Sequence, residues 1–140
     1  MKINNNCARK ILLEVEKIPY GETLTINKLH ENISEYSIED VLNIVTLLNK
    51  ERFLVILDKA SYDDSDIFRE HKIKHLTDKG FRSLDLIRND EIWKMLKNNL
   101  DDFNDVSIYT IFDIANKIIN AKHNKIFNIP NEFYNQNNRW

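Results

Sequence analysis

The sequence predicts an α+β chain, mostly helical, and three observations carry that prediction. Apolar residues recur at helical spacing over most of its length. One run of strong β propensity, Phe53 to Leu57, is followed after a polar stretch by a second strand-like segment. A capped, amphipathic helix ends just ahead of that pair. Two helices joined by a tight turn and then a hairpin make a winged helix-turn-helix core, and the remainder of the chain fits two or three additional C-terminal helices.

Each element has its own local cause. Cys7, Ala8, Ile11, Leu12, Val15 and Ile18 form one apolar helical stripe, with Arg9, Lys10, Glu14 and Lys17 opposite. Pro19-Tyr20-Gly21 stops that helix, because proline cannot extend the ladder and glycine supplies turn geometry. Glu22 to Thr25 suits a brief strand, and Ile26 to Glu31 a short helix burying Ile26 and Leu29. Ser37-Ile38-Glu39-Asp40 approximates a capping box opening the next helix, with Ile38, Val41, Leu42, Val45 and Leu48 as its expected buried stripe. Ile67 to Leu76 is expected to return as the partner of the Phe53 strand, making the hairpin a wing. Thr77 is placed to cap another helix, with Phe81, Leu84, Leu86 and Ile87 over the core. Asp90 to Leu100 forms a helix with Ile92, Trp93, Leu96 and Leu100 inward, and a last helix runs from about Val106 to Lys122.

At 140 residues the chain has room for one core and a flanking element. Residues 1–125 are expected to form a single domain, and 126–140 an Asn-rich flexible tail whose Phe127, Phe133, Tyr134 and Trp140 are alternatively binding anchors. A hydrophobic share of 42% excludes wholesale disorder. The single cysteine excludes an internal disulfide framework and a Cys-rich zinc site. Met1 to Asn6 is polar, and no apolar run approaches the roughly 20 residues of a membrane span. The expectation is a cytoplasmic protein with no membrane contact.

The run from His75 to Lys94 carries a pattern of Leu76, Thr77, Gly80, Leu84, Asp85, Ile87, Arg88, Asp90 and Trp93. In these positions it resembles the domain of unknown function 2513 family, found in bacteria and their prophages. The Ile11 to Glu16 segment, the Ser37 helix and Val106 to Ala115 also look like family blocks, so the resemblance spans roughly Lys10 to Ile119. Asp78-Lys79 departs from it, standing where a Trp-Glu type pair is expected. The resemblance implies the fold and no activity.

Charge bears on function more directly. From Glu22 to Glu70 there are eleven acidic and five basic side chains, a net of −6. Phosphate contacts supply most of the affinity of a DNA reader, so its contact face should be basic. Here Glu35, Glu39 and Asp40 stand at the start of the third helix, and Tyr62, Asp63, Asp64 and Asp66 at the wing tip. These seven are candidate protein-contact residues, suited to a basic partner. Against them stand Asn43, Thr46, Asn49, Lys50, Arg52, Lys72 and Lys74 as candidate nucleic-acid contacts.

Catalysis finds little support. Two glycines, Gly21 and Gly80, cannot write a phosphate-binding loop or a dinucleotide fingerprint. Cys7 sits on an apolar helix face and reads as a core residue. His71 and His75 flank Ile73 on one strand face without a carboxylate at ligand spacing, and the Asp63–Asp66 cluster lacks the glycine and distal glutamate of a calcium loop. No cofactor or metal is expected. Arg88 and Asp90 read as a structural ion pair at a helix junction, with stacking of Arg88 on an aromatic as a further option. The helix from Ile108 to Ile119 is apolar on two faces and serves either a homodimer interface or burial within one subunit. The expected function is a non-enzymatic regulatory or adaptor protein of a bacterium or phage acting through protein–protein contacts; the alternative is a sequence-specific DNA-binding transcriptional regulator.

Overall fold

A computed structural model describes residues 4–57, 71–100 and 103–126. Helix α1 runs Asn5–Glu16, strand β1 Leu24–Thr25, α2 Ile26–Asn32 and α3 Ile38–Lys50. Strands β2, Leu54–Leu57, and β3, Lys72–Leu76, precede α4, Asp78–Ile87; α5, Asp90–Asn99; and α6, Ile108–Ile126. The described chain is therefore α+β and mostly helical. Its three strands form an antiparallel sheet in the order β1-β3-β2. The acidic stretch holding Tyr62, Asp63, Asp64 and Asp66, the first part of the expected return strand and the Asn-rich tail beyond Ile126 lie outside the described residues, while Ile126 itself ends α6.

The helices begin where side chains satisfy otherwise orphaned N–H groups. Asn4 accepts from Cys7 N–H, Thr25 from Lys28, Ser37 from Asp40, Thr77 from Gly80 and Asn89 from Ile92. Helix α3 ends differently. Phe53 N–H donates to the Leu48 carbonyl at 2.8 Å and Arg52 N–H to that of Asn49 at 3.0 Å, the paired bonds of a Schellman motif. That closure puts Arg52 at a φ of 64°, a left-handed conformation in which glycine is the usual residue. Phe53 and Leu48, the apolar pair of the motif, are both buried.

Helix α1 lies across the centre, packed on α3, β3 and α4, and the core continues through α5 and α6. The expected stripes hold within α1 and α5, although Ile18 and Leu100 lie just past those helices and are half-buried, and two further stripes need correction. In α3 the buried set is Val41, Ile44, Val45 and Leu48, while Ile38 and Leu42 are only half-buried. In α4 Leu84 and Ile87 are buried, Leu86 is partly so, and Phe81 is 42% exposed. Gly80 takes the inward place instead: a Cβ there would sit 2.0 Å from the Phe53 carbonyl oxygen. The first turn of α4 thus rests directly on the backbone between α3 and β2.

Strand β3 contains a bulge. Val55 faces His75 and Ile56 faces Ile73, which leaves Lys74 as the extra residue. The shift turns Ile73 and Leu76, three apart, both into the core. It also separates the two histidines expected on one face, since His71 is buried and His75 exposed.

Gly80→Ala should lower unfolding free energy by about 3 kcal/mol, because backbone must move to admit the methyl group. Arg52→Gly should act oppositely and raise stability by about 1 kcal/mol by relieving the left-handed conformation. Urea titrations of both variants measure these shifts.

Candidate interaction surface

The outer face of α3 collects most of the residues in question. Glu35 precedes the helix and Glu39 and Asp40 occupy its first turn, all exposed. Carboxylates are favourable there, because the helix dipole and the uncapped N–H groups make that end positive. Glu35 is paired with Lys10 of α1, which in turn lies 5.7 Å from the Tyr36 ring centroid. The Lys10 hydrogen bond holds the Glu35 carboxyl below its ordinary range, and Glu35 raises Lys10 in return. Beneath this surface Cys7 is fully buried, and its thiol is pushed up to about 12 by burial, then by Asp40 and Glu35. A thiol so protonated at neutral pH is no nucleophile.

Further along the same helix the polar side chains turn to their own backbone. Thr46 Oγ1 donates to the Leu42 carbonyl at 2.8 Å, and Asn49 Oδ1 accepts from Ile56 N–H at 3.3 Å. Two residues expected to read bases are therefore engaged within the fold. Asn43, Lys50 and Arg52 remain exposed on α3 and its C-terminal turn. Lys74 is exposed at the bulge, whereas Lys72 is half-buried in the ladder.

The expected Arg88–Asp90 ion pair is replaced by three others. Arg88 binds Glu16 at 2.6 and 2.9 Å and Asp85 at 2.9 Å. Asp90 accepts from Arg9 at 2.8 Å. The reason is geometric: Asp85 is one helical turn from Arg88, whereas residues two apart across a helix junction do not face each other. Arg9 also donates to the Ile87 and Arg88 carbonyls, both at 2.7 Å, capping the end of α4. Its guanidinium carbon lies 5.2 Å from the Trp93 ring centroid, so Arg9, not Arg88, makes the aromatic stack. Trp93 Nε1 donates to Asn6 at 2.9 Å.

A second junction lies at the other end of α4. Lys79 Nζ donates to the Glu51 carbonyl and to Tyr109 Oη, both at 2.8 Å, and sits 4.5 Å from the Phe53 ring centroid. Tyr109 Oη donates onward to the Glu51 carboxylate at 3.1 Å. Lys79, in the Asp78-Lys79 pair that departs from the expected pattern, thus ties α3, α4 and α6 together. Ile108, Ile111, Phe112 and Ala115 of α6 are buried, and α6 packs on α4 and α5.

One feature invisible in the sequence is an open cleft of about 530 Å³ lined by Ile18, Pro19, Tyr20, Gly21, Glu22, Thr23, Lys74 and His75. The turn on its rim is closed by Glu22 N–H donating to the Pro19 carbonyl, with Gly21 at a φ of 83°. The Pro-Tyr-Gly signature predicts the turn; the approach of β3 that completes the cleft leaves no local signal. Of His71, His75, Asp85 and Arg88, His75 alone lines it. Among the described residues no group of His, Cys, Asp and Glu is arranged to hold a metal ion. Among them, too, no helix is long and apolar enough to cross a membrane.

Two packed junctions and an exposed helix face thus mark a small, mostly helical α+β domain. Residues 2–106 match the model of the DUF2513 family, described as "Hypothetical protein", and the chain belongs to that family. No curated protein and no solved structure matches it. The matched region ends where α6 begins, short of most of the Val106 to Ala115 block. Nearly every residue of the recognisable run now has a mechanical role. Thr77 caps α4, Gly80 admits Phe53, Leu84 and Ile87 are buried, and Asp85, Arg88, Asp90 and Trp93 bind across to α1 or its partners.

The Glu16 carboxyl is held below its usual value chiefly by the Arg88 hydrogen bonds. A depressed carboxylate stabilises the fold fully above its unfolded pKa of about 4.3 and loses that contribution as pH falls through the folded value. Wild type should exceed Glu16→Gln by about 1 kcal/mol or less at neutral pH, given the pair's exposure. Thermal melts from pH 7 downward should show that gap shrinking only below the ordinary carboxylate range.

Proposed function

We propose that this chain is a non-enzymatic adaptor or regulatory protein of a bacterium or phage, a winged-helix scaffold that binds a protein partner through the acidic end of α3. The winged-helix reading is supported by the element order α1-β1-α2-α3-β2-β3 and by the antiparallel arrangement β1-β3-β2. The functional reading is carried by one observation, the distribution of polar groups along the exposed face of α3. Its N-terminal end presents Glu35, Glu39 and Asp40, while Thr46 and Asn49 are bound to main chain. A recognition helix in the major groove contacts base edges from its N-terminal residues and needs a basic surround. Carboxylates at that end instead favour encounter with a basic protein surface.

A DNA-binding regulator is the second reading, favoured by the exposure of Asn43, Lys50, Arg52 and Lys74. One experiment separates the two. A photo-crosslinking residue placed at Asn43, in cells expressing the chain, should yield a protein adduct. That adduct should be lost when Glu39 and Asp40 are both reversed to lysine. Adducts to nucleic acid alone, or a protein adduct indifferent to the reversal, would overturn the proposal. Under the second reading the same reversal should tighten binding to a duplex in a gel-shift assay by about tenfold or more at low salt, since it replaces repulsion by attraction near phosphate.

A further inference from the structure

The hydrogen bond from Ile56 N–H to Asn49 lies at an outer edge of the sheet. Among the described residues β2 has β3 on one side and no strand on the other. Along a strand in an antiparallel ladder, successive residues turn their N–H and C=O groups to opposite edges. The Phe53 carbonyl accepts from Thr77 N–H and so faces the β3 side. Leu54 and Ile56 must then face outward, and the bond from Ile56 N–H to Asn49 Oδ1 agrees. The Asn49 side chain occupies the position that a carbonyl of an added strand would take.

The strand behind it is well suited to unwanted pairing. Phe53 to Leu57 is an unbroken apolar run with no charge and no proline, and Leu57 is 38% exposed. Edge strands of this composition pair with like strands unless a charge, a proline, a bulge or a covering group prevents it. The bulge in this sheet lies in β3, so it does not protect the outer side of β2. The protection comes from the last turn of α3, where the Schellman closure brings Asn49 within reach of Ile56.

We infer that Asn49 closes the outer edge of β2 against strand addition, and that the occupant it excludes is β2 of a second copy of this chain. A second copy fits because an antiparallel pair of identical apolar strands is self-complementary about a two-fold axis. Neither strand brings a charge that would oppose the match. The inference is independent of what the acidic end of α3 binds.

Sedimentation velocity over a concentration series tests it on the full chain. Asn49→Ala should self-associate at least about tenfold more tightly than wild type, the size expected from freeing one edge hydrogen bond and its steric cover on each of the two copies. Adding Ile56→Pro to that variant removes the outward donor and should restore wild-type behaviour, because proline is tolerated on an edge but cannot pair there. In wild type, hydrogen exchange should show the Ile56 amide protected, and Asn49→Ala at low concentration should lose that protection. Unchanged association in Asn49→Ala, association that Ile56→Pro fails to reverse, or an unprotected Ile56 amide in wild type would each overturn the inference.

Discussion

The contact between the first turn of α4 and the Phe53 carbonyl is the constraint on which the rest of the molecule depends. Thr77 donates its N–H to that carbonyl at 3.0 Å and its hydroxyl to the neighbouring Arg52 carbonyl. Gly80 removes the one atom that would keep the helix away. Because α4 sits this low, Leu84 and Ile87 reach the core and Arg88 reaches Glu16. Lys79 is brought at the same time over Phe53 and against Glu51 and Tyr109. The left-handed backbone at Arg52 is one local cost of presenting that carbonyl.

This arrangement explains why the most recognisable stretch of sequence says so little about activity. A run of Thr, Gly, Asp, Arg, Asp and Trp contains the residue types of a catalytic site. In the fold the threonine caps, the glycine admits backbone, and the three charged groups and the indole are engaged with α1 or with one another. Arg88 and Asp85 lie outside the lining of the cleft, and His75 lines it without them. The features that support the proposed binding role lie elsewhere, on α3.

Element types and most of the core were legible because they depend on local periodicity and caps. The stripes of α1 and α5 and the Ser37 and Thr77 caps follow from spacing alone. What was not legible depends on residues far apart in sequence. Phe81 and Gly80 are adjacent, and only the proximity of Phe53 decides which of them turns inward. The split of Arg88 and Asp90 between Glu16 and Arg9 requires knowing that α1 lies against the junction of α4 and α5. The asparagines near the start look like compositional bias, yet Asn4 caps α1, Asn5 donates to the Phe103 and Val106 carbonyls, and Asn6 accepts from Trp93. Thr46 and Asn49 carry the chemistry of base recognition, and their capture by nearby main chain appears only in three dimensions.

The long reach of α1 has a consequence for how the protein is made. Its polar partners are the Ile87 and Phe103 carbonyls, 78 and 98 residues downstream of Arg9 and Asn5 respectively. At a ribosome adding about 5–20 residues each second, α1 would wait several seconds or more for them. During that interval its face of Ile11, Leu12 and Val15 has no α4 to cover it. A nascent chain stalled before Asp78 would therefore be a client for a chaperone, while a finished one hides the same surface entirely.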